Sequence, residues 1–242
     1  MPKTSKSKQW ADGALSCLIA ELDTMIELLH CDCMEYMATV PDKYFDLAIV
    51  DPPYGIGMAK TTNIPNPKKG FKGNKLHNEK EWDKEIPSED YFLEVQRISK
   101  EQIIWGGNYF TEYLKPTKAW IFWSKKETKT QGSNFSDGEL AWTSFKKVTR
   151  LFEYGWIGID YCNKSESKIH PTQKPVALYE WLLTNYAKKG QRILDTHLGS
   201  GSSAIAAHYF GVDFVGCELD KDYFEAAKAR FDMATRQLAL SV

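Results

Sequence analysis

Short apolar stretches alternate with longer amphipathic stretches along most of this chain of 242 residues. The apolar stretches are rich in Ile, Val and aromatic residues, as strands covered on both faces of a sheet should be. We expect strands at residues 25–29, 45–50, 102–105, 119–123, 192–194 and 212–217. Helices are expected at residues 88–99, 176–189, 201–209 and 221–238. The alternation predicts an α/β fold with a mostly parallel sheet.

Two segments interrupt the alternation. Residues 55–86 are polar and rich in Lys, Asn, Gly and Pro, with little periodicity. Residues 124–168 carry turn signals and short aromatic pieces around Trp142 and Trp156. Long irregular segments inside a compact domain are usually functional loops or disordered, and we interpret both segments in this way.

The overall charge and the cysteine content narrow the classes of function. A formal net charge of −1 argues against a general attraction to nucleic acid, so any binding to phosphates must rest on local basic clusters. The five cysteines are scattered and form no CxxC pair, so we interpret them as reduced thiols rather than metal ligands. No apolar run approaches membrane-spanning length. We therefore expect a soluble intracellular protein without a bound metal.

Residues 192–204 predict a strand, a tight glycine loop and the start of a helix. Gly199 and Gly201 allow the backbone to turn sharply and to approach a ligand, and the helix N-terminus offers free N–H groups. The next expected strand ends just before Glu218, whose carboxylate can accept hydrogen bonds from both hydroxyls of a ribose. This half of the chain is therefore expected to bind a cofactor that contains adenosine.

Two cofactors fit this pattern. Gly199-x-Gly201-x-x-Ala204 followed by Glu218 also satisfies the fingerprint of dinucleotide-binding proteins, and a purely structural glycine turn is a further alternative. Asp195 distinguishes a dinucleotide from S-adenosylmethionine, because a carboxylate just before the loop would repel a pyrophosphate but could pair with the ammonium group of S-adenosylmethionine. We favour the methyl donor over a nicotinamide cofactor.

The tetrapeptide Asp51-Pro52-Pro53-Tyr54 follows an expected strand and should lie at the carboxyl edge of the sheet, where open α/β folds bind ligands. Prolines fix φ and lack N–H groups, so their carbonyls can serve as rigid acceptors. An amino nitrogen that attacks a methyl sulfonium needs acceptors for its hydrogens, and Asp51 and the Pro52 carbonyl can each take one. Tyr54 can stack on a base flipped out of a duplex. We predict these four residues to be catalytic; the alternative is a Pro-Pro turn capped by Asp51.

On these motifs the chain resembles the amino-methylating DNA methyltransferases of bacteria and phages. More narrowly, it resembles the subgroup whose catalytic motif precedes the cofactor motif, over roughly residues 28–231. The matching motifs are His30-Cys31-Asp32-Cys33, Asp51-Pro52-Pro53-Tyr54, Trp105-Gly106-Gly107-Asn108, residues 119–123, His170-Pro171-Thr172-Gln173-Lys174-Pro175, residues 195–203 and Gly216-Cys217-Glu218. Their order favours DNA as substrate, because many related enzymes that act on RNA or protein carry the cofactor loop first.

The resemblance implies a doubly wound, Rossmann-like methyltransferase sheet with a small inserted lobe for target recognition. It also implies direct transfer of a methyl group from S-adenosylmethionine to an amino group of a flipped base, without a covalent intermediate. Asp rather than Ser at position 51 resembles the adenine-N6 enzymes more than the cytosine-N4 enzymes. Cytosine-N4 methylation, an RNA or protein substrate, and a non-catalytic DNA-binding module are the alternatives.

The resemblance also assigns residues to the cofactor. Asp32 would contact its adenine side, Thr172 and Lys174 its methionine end, and Glu218 its ribose. His197 stands where relatives usually carry Phe, and we interpret it as a hydrogen-bonded pocket residue, with a catalytic base as the alternative. The predicted cofactor-binding set is Asp32, Cys33, Asp51, Thr172, Lys174, Asp195, Thr196, His197, Gly199, Ser200, Gly201, Glu218 and Leu219.

Double-stranded DNA is the expected partner, and a homodimer would suit so short a recognition lobe. Phosphate contacts are expected from Lys60, Lys68, Lys69, Lys72, Lys125, Lys126, Lys146, Lys147 and Arg150. We divide the chain into a tail (1–24), a catalytic half (25–123) with a flexible loop at about 55–86, a target-recognition lobe (124–168) and a cofactor-binding half (169–242). The expected location is the cytoplasm of a bacterium, at the chromosome.

Overall fold

The computed structural model describes residues 24–57, 83–125, 136–157, 160–161, 166 and 169–236. Its strands are β1 (Ile26–His30), β2 (Phe45–Val50), β3 (Ser99–Trp105), β4 (Ile121–Ser124), β5 (Gly138–Thr143), β6 (Arg150–Glu153), β7 (Trp156–Ile157), β8 (Asp160–Tyr161), β9 (Arg192–Asp195) and β10 (Asp213–Glu218). Its helices are α1 (Cys33–Ala38), α2 (Glu89–Ile98), α3 (Val176–Tyr186), α4 (Ser202–Phe210) and α5 (Lys221–Arg236). A 3₁₀ turn, Gly107–Tyr109, follows β3.

Eight of these strands form one sheet in the order β1-β10-β9-β2-β3-β5-β4-β6. Neighbouring strands from β1 to β3 run parallel, whereas β5 runs antiparallel to both β3 and β4. The chain moves outward from β2 to β3 and, on its return, outward in the other direction from β9 to β10. The switch point therefore lies between β2 and β9, and open α/β sheets bind ligands beyond the carboxyl ends of the strands at such points. The predicted doubly wound sheet is confirmed.

Hydrophobic cores cover both faces of the sheet, because alternate residues of a strand point to opposite sides. In β2, Leu47 and Ile49 join a core formed with α3, α4 and α5, whereas Ala48 and Val50 join a second core formed with α1 and α2. Burial on both faces explains why β2 reads as one apolar run. Because both faces are covered by apolar cores, polar side chains can cluster at the carboxyl edge of the sheet.

Each predicted strand and helix is present; β2 has the predicted bounds, and the ends of the others are shifted by a few residues. The helix expected from residue 201 begins at Ser202, because Gly201 has a φ of 73° and serves as the N-cap. The helix expected to reach residue 189 ends at Tyr186, since Ala187 is already extended. The expected end of the last helix lies outside the described residues. Within those residues, no helix is both long and apolar enough to cross a membrane.

The apolar pattern did not predict α1, β5 or β6. Helix α1 has six residues, too few to show a helical period, and it begins where Asp32 Oδ1 accepts a hydrogen bond from Met34 N at 2.7 Å. Strand β5 is fully buried only in its second half, and β6 is mostly exposed. Neither strand therefore appears as an apolar run.

The segment expected to form a recognition lobe, residues 124–168, contributes two strands to the sheet. Strand β5 lies between β3 and β4, and β6 forms the edge beside β4. The chain leaves the carboxyl edge after β4 and returns to it at β5, whereas the connection from β5 to β6 lies at the amino edge. The functional division of the chain remains a prediction.

Candidate active site

The segment after β2 is held at the carboxyl edge by hydrogen bonds of its own. The Tyr54 hydroxyl donates to Asp51 Oδ1 at 2.6 Å. Asp83 is buried, and its Oδ1 accepts hydrogen bonds from Tyr54 N at 2.8 Å and from Gly55 N at 2.9 Å. Gly57 N donates to Asp83 O at 3.1 Å. The chain that leaves this edge after Gly57 therefore returns to it at Asp83, which fixes the backbone of the motif.

Lys174 joins this segment from the other half of the chain. Its Nζ lies 2.5 Å from Asp51 Oδ2, 3.0 Å from Glu139 Oε2 and 3.4 Å from the Tyr54 hydroxyl. Burial acts to lower the pKa of Lys174, but the charges of Asp51 and Glu139 outweigh it and raise the pKa. The ammonium is therefore charged and faces Asp51; its expected place at the methionine end of a cofactor stays a prediction.

Glu139 extends these charge pairs to Lys125. Lys125 forms an ion pair with Glu139, and its Nζ lies 4.8 Å from the centroid of the Trp123 ring. Burial acts to raise the pKa of Glu139, but the ammonium groups of Lys174 and Lys125 lower it to about 2. Together with Asp51, these groups form a chain of alternating sign whose formal charges sum to zero. Pairing of this kind offsets part of the cost of burying charge.

The Tyr54 ring packs against the turn that follows β3. Gly106 has a φ of 69°, and a Cβ atom added there would lie 2.6 Å from Cδ1 and 2.7 Å from Cζ of Tyr54. Tyr109, which is 44% exposed, stacks on Tyr54 with ring centroids 5.0 Å apart and 17° between the planes. Burial and the charge of Asp51 raise the pKa of Tyr54 well above its usual value. The ring is thus fixed in position, and its hydroxyl keeps its proton.

Two carboxylates order the glycine loop after β9. Asp195 Oδ1 accepts a hydrogen bond from His197 N at 3.0 Å, and Oδ2 accepts one from Ser203 Oγ at 2.6 Å. Glu218 Oε2 accepts a hydrogen bond from Gly199 N at 2.8 Å. The ends of β9 and β10 are thereby joined around the loop, next to the end of β2 across the switch point.

The carboxylates at this loop suit a cationic ligand. Asp195 is 1% exposed, and burial raises its pKa to about 7, with a further contribution from the charges of Asp51 and Glu218. An ammonium or sulfonium group would relieve this repulsion, whereas a pyrophosphate would add to it. The charge of these carboxylates therefore fits S-adenosylmethionine, with Asp195 able to face its cationic groups and Glu218 its ribose, better than it fits a dinucleotide.

Thr196 and His197 belong to a buried hydrogen-bond chain with Tyr91. Thr196 Oγ1 lies 2.6 Å from the Tyr91 hydroxyl and 2.9 Å from His197 Nδ1. The Tyr91 and His197 rings meet edge to face, with centroids 5.5 Å apart. Burial lowers the pKa of His197 to about 4, so the ring is neutral at pH 7. A neutral, hydrogen-bonded ring suits a pocket residue, whereas a general base works best with a pKa near the operating pH.

Other predicted cofactor residues flank the loop. Thr172 Oγ1 lies 3.1 Å from His170 Nδ1, and the His170 ring packs against Tyr223 with centroids 4.3 Å apart. Asp32 Oδ1 accepts the hydrogen bond that caps the N-terminus of α1. Leu219 is 68% exposed beside Glu218. The remaining members of the set also lie at this edge, Cys33 at the start of α1 and Ser200 and Gly201 in the loop.

Three predicted phosphate contacts lie far from Asp51. Strand β5 runs antiparallel to β3 and carries the chain away from the carboxyl edge, so Lys146, Lys147 and Arg150 lie at the amino edge. Lys147 Nζ also donates to Asn185 O at 2.8 Å. The structure does not bring these three residues to the site.

Of the other predicted phosphate contacts, the described one lies at the carboxyl edge. Lys125 comes directly after β4 at this edge, but its ammonium is paired with Glu139. Five further lysines lie outside the described residues, namely Lys60, Lys68, Lys69, Lys72 and Lys126. The described ends of both segments, at Gly57 and Asp83 and at Lys125, lie on the side of the sheet that carries Asp51.

Glu139, Asp83 and Tyr109 were not singled out from the sequence. An antiparallel strand begins at the edge where its parallel neighbours end, so Glu139 near the start of β5 reaches the site. That signal becomes readable only once the direction of β5 is known. Asp83 lies within a segment expected to be irregular, and Tyr109 follows the Gly-Gly pair already marked by the resemblance.

Curated proteins and a family model match this chain. A model of the DNA methylase family matches residues 96–229, more than half of the chain. The type II methyltransferase M.HpaI of Haemophilus parainfluenzae is 24% identical over 238 residues, covering 85% of this chain and 74% of that protein. The type II methyltransferase M2.MboI of Moraxella bovis is 22% identical over 256 residues, covering 88% of this chain and 90% of that protein.

Two solved structures share the fold. The M1.HpyAVI–SAM complex aligns with a TM-score of 0.55 and 21% identity, covering 86% of this chain and 100% of that one. The PvuII DNA methyltransferase, described as cytosine-N4-specific, aligns with a TM-score of 0.56 and 12% identity, covering 88% of this chain and 92% of that one. At these identities the likeness concerns the fold.

Proposed function

Since the chain belongs to the DNA methylase family, and is an S-adenosylmethionine-dependent methyltransferase of amino groups at specific DNA sites, we propose that its target is N6 of adenine. The observation that carries the proposal is the Asp51 carboxylate at the switch point, held by Tyr54 and Lys174. Asp at this position is the residue that the family resemblance associates with adenine rather than cytosine.

Asp51 can accept a hydrogen of the target amino group. Each carboxylate oxygen has two lone-pair directions, and the bonds from Tyr54 and Lys174 use one on each oxygen. We propose that the Pro52 carbonyl accepts the second hydrogen of the amino group, because proline fixes its own φ and has no N–H group to turn inward. Two acceptors hold the amino group so that the nitrogen lone pair is no longer conjugated with the ring and points at the methyl group.

We also propose that the Asp51 carboxylate accepts the proton that the nitrogen loses after methyl transfer. Lys174 remains an ammonium, because the neighbouring carboxylates raise its pKa even against desolvation. Tyr54 remains a phenol, since burial and the charge of Asp51 raise its pKa. Of these three groups, only Asp51 is therefore able to take a proton.

Tyr54 and Tyr109 offer aromatic surface to a flipped base. Flipping costs a few kcal/mol, and stacking on an aromatic ring contributes roughly 1–3 kcal/mol per base. Because Tyr54 is fixed and Tyr109 is exposed, we propose that the adenine stacks against this pair.

The bound cofactor supplies an electrophilic methyl group on a sulfonium. We propose that Asp195 pairs with its ammonium, Glu218 with its ribose, and the exposed Leu219 with its adenine face. His197 and Thr196 shape the adjoining wall through their link to Tyr91.

The test identifies the modified base. Purified protein is incubated with unmethylated DNA and isotope-labelled methyl donor, and the digested nucleosides are separated by mass spectrometry. We expect labelled N6-methyladenine, and long-read sequencing of DNA from expressing cells then gives the target site. N4-methylcytosine as the product would overturn the choice of adenine. That outcome is the second candidate, since one structural neighbour is described as cytosine-N4-specific.

A further inference from the structure

The acidic side chain of Glu139 enters the site from β5, outside the motifs that define it. Its strand is antiparallel to β3, with Trp105 opposite Ala141, and Gly106 N donates to Leu140 O at 2.8 Å. Glu139 therefore lies two residues beyond the end of β3, over the carboxyl edge. Its side chain is 22% exposed, and Lys174 beside it is 3% exposed.

The two oxygens of Glu139 face different cations. Oε1 pairs with Lys125, and Oε2 lies 3.0 Å from Lys174 Nζ. Oε2 is buried, and the Lys174 ammonium is the cation that faces it. The same ammonium lies 2.5 Å from Asp51 Oδ2.

We propose that Glu139 is a positioning residue that acts on Asp51 through Lys174. It shares the Lys174 ammonium with Asp51, so that Asp51 keeps its orientation and its negative charge is less fully neutralised. This inference rests on the proposed role of Asp51 in accepting a hydrogen of the amino group.

The physical reason is competition for one buried cation. If only one carboxylate is present, an ammonium in a site without water pairs closely with it. The pairing weakens the attraction of that carboxylate for other hydrogen-bond donors. A second carboxylate also attracts this ammonium and therefore leaves more of the charge of Asp51 for the substrate. Without the charge of Glu139, Asp51, Lys174 and Lys125 together would also carry a net charge of +1.

Two substitutions separate charge from shape. Glu139→Gln keeps the size of the side chain and removes its charge, whereas Glu139→Asp keeps the charge and shortens the side chain. If Glu139 acts through the charge of Lys174, the single-turnover rate of methyl transfer falls by about 100-fold in Glu139→Gln and by less in Glu139→Asp. If its role is only to fill space, Gln is the better replacement, and that order would overturn the proposal.

A double-mutant cycle tests whether Lys174 carries the effect. Glu139→Gln is measured alone and in a Lys174→Gln background, with both substrates saturating and the dissociation constant for the methyl donor measured by calorimetry. We expect the donor affinity to stay within about threefold, and the rate loss of Glu139→Gln to disappear once Lys174 is neutral. An equal loss in both backgrounds, or a loss that saturating donor restores, would refute the coupling.

The control replaces a carboxylate that is distant from the site. Glu94 pairs with Arg97 at 2.8 Å on helix α2, and Glu94→Gln should transfer methyl groups at the wild-type rate. The wild-type protein in the same assay separates the two proposals. If it methylates no adenine, the proposed function fails; if it does so and Glu139→Gln matches it, only the role of Glu139 fails.

Discussion

At the scale of single residues, the chemistry depends on carboxylates whose neighbours decide what each can do. Asp51 is hydrogen-bonded by Tyr54 and Lys174 and remains available as an acceptor. Asp195 is buried beside its loop, with its pKa raised to about 7. Two acids at the same edge of one sheet are thus suited to different partners, an amino group and a cation.

Replacing Asp51 should separate chemistry from cofactor binding. Asp51→Ala removes the acceptor but no hydrogen bond of the glycine loop, so we expect transfer to fall by about 10²–10⁴-fold or more while the donor still binds. Calorimetry and a labelled-methyl assay measure the two properties. Asp42→Ala, at a mostly exposed acid, is the control. Substantial turnover in Asp51→Ala would remove Asp51 from the mechanism.

The raised pKa of Asp195 predicts that donor binding depends on pH. Below pH 7 Asp195 takes up a proton and loses the charge that would pair with an ammonium, so affinity should fall about tenfold from pH 8 to pH 6. His197, with a pKa of about 4, stays neutral across this range. Calorimetry at both pH values checks the slope, which Asp195→Asn should flatten. Equal affinity of the wild type at pH 6 and pH 8 would contradict the assignment.

At the scale of elements, the turn after β3 determines where Tyr54 sits. Gly106→Ala adds a Cβ atom that overlaps the Tyr54 ring and also strains a backbone with φ of 69°. Gly190→Ala is a matched control, since Gly190 has a φ of 76° with open space around it. We expect both variants to lose about 1–2 kcal/mol of stability from the backbone alone.

Only Gly106→Ala should also lose activity, by at least about tenfold, because the overlap must displace Tyr54 from Asp51. Thermal unfolding measures the shared loss, and single-turnover transfer measures the difference. Equal transfer rates in the two variants would show that the position of Tyr54 does not depend on this turn.

At the scale of the whole molecule, the direction of β5 separates the basic residues into two groups. Lys146 and Arg150 lie at the amino edge, and the polar segment after Tyr54 begins and ends at the carboxyl edge. Strands rise by about 3.3 Å per residue, so a strand of six residues separates the two edges by roughly 20 Å. A duplex that delivers a base to Asp51 should therefore meet the carboxyl edge only.

The salt dependence of DNA binding should reveal this asymmetry. Lys68→Ala with Lys69→Ala should reduce the slope of log affinity against log salt by about 0.9 for each phosphate that the protein no longer neutralises. Lys146→Ala with Arg150→Ala should leave the slope unchanged. Fluorescence anisotropy over a salt series measures both pairs. The opposite result would place the DNA across the other edge of the sheet.

Local patterns were sufficient for much of this fold. The apolar runs of β2 and β10 and the glycine loop after β9 are properties of consecutive residues, and they predicted the main elements and their class. Asp51, Asp195 and Glu218 were predicted at the site because each follows or ends a parallel strand, and parallel strands end at one edge. Their hydrogen bonds are consistent with those roles.

The tertiary structure decided what depends on direction and on distant neighbours. No local pattern showed that β5 is antiparallel, and that single fact brings Glu139 to Lys174 while carrying Lys146 to the far edge. The pKa values of Asp195 and His197 likewise depend on burial by elements far away in sequence. The sequence alone therefore determined the class of chemistry through its local motifs. Only the folded chain decided how the charges around Asp51 are balanced, because electrostatic interactions depend on distances that the fold creates.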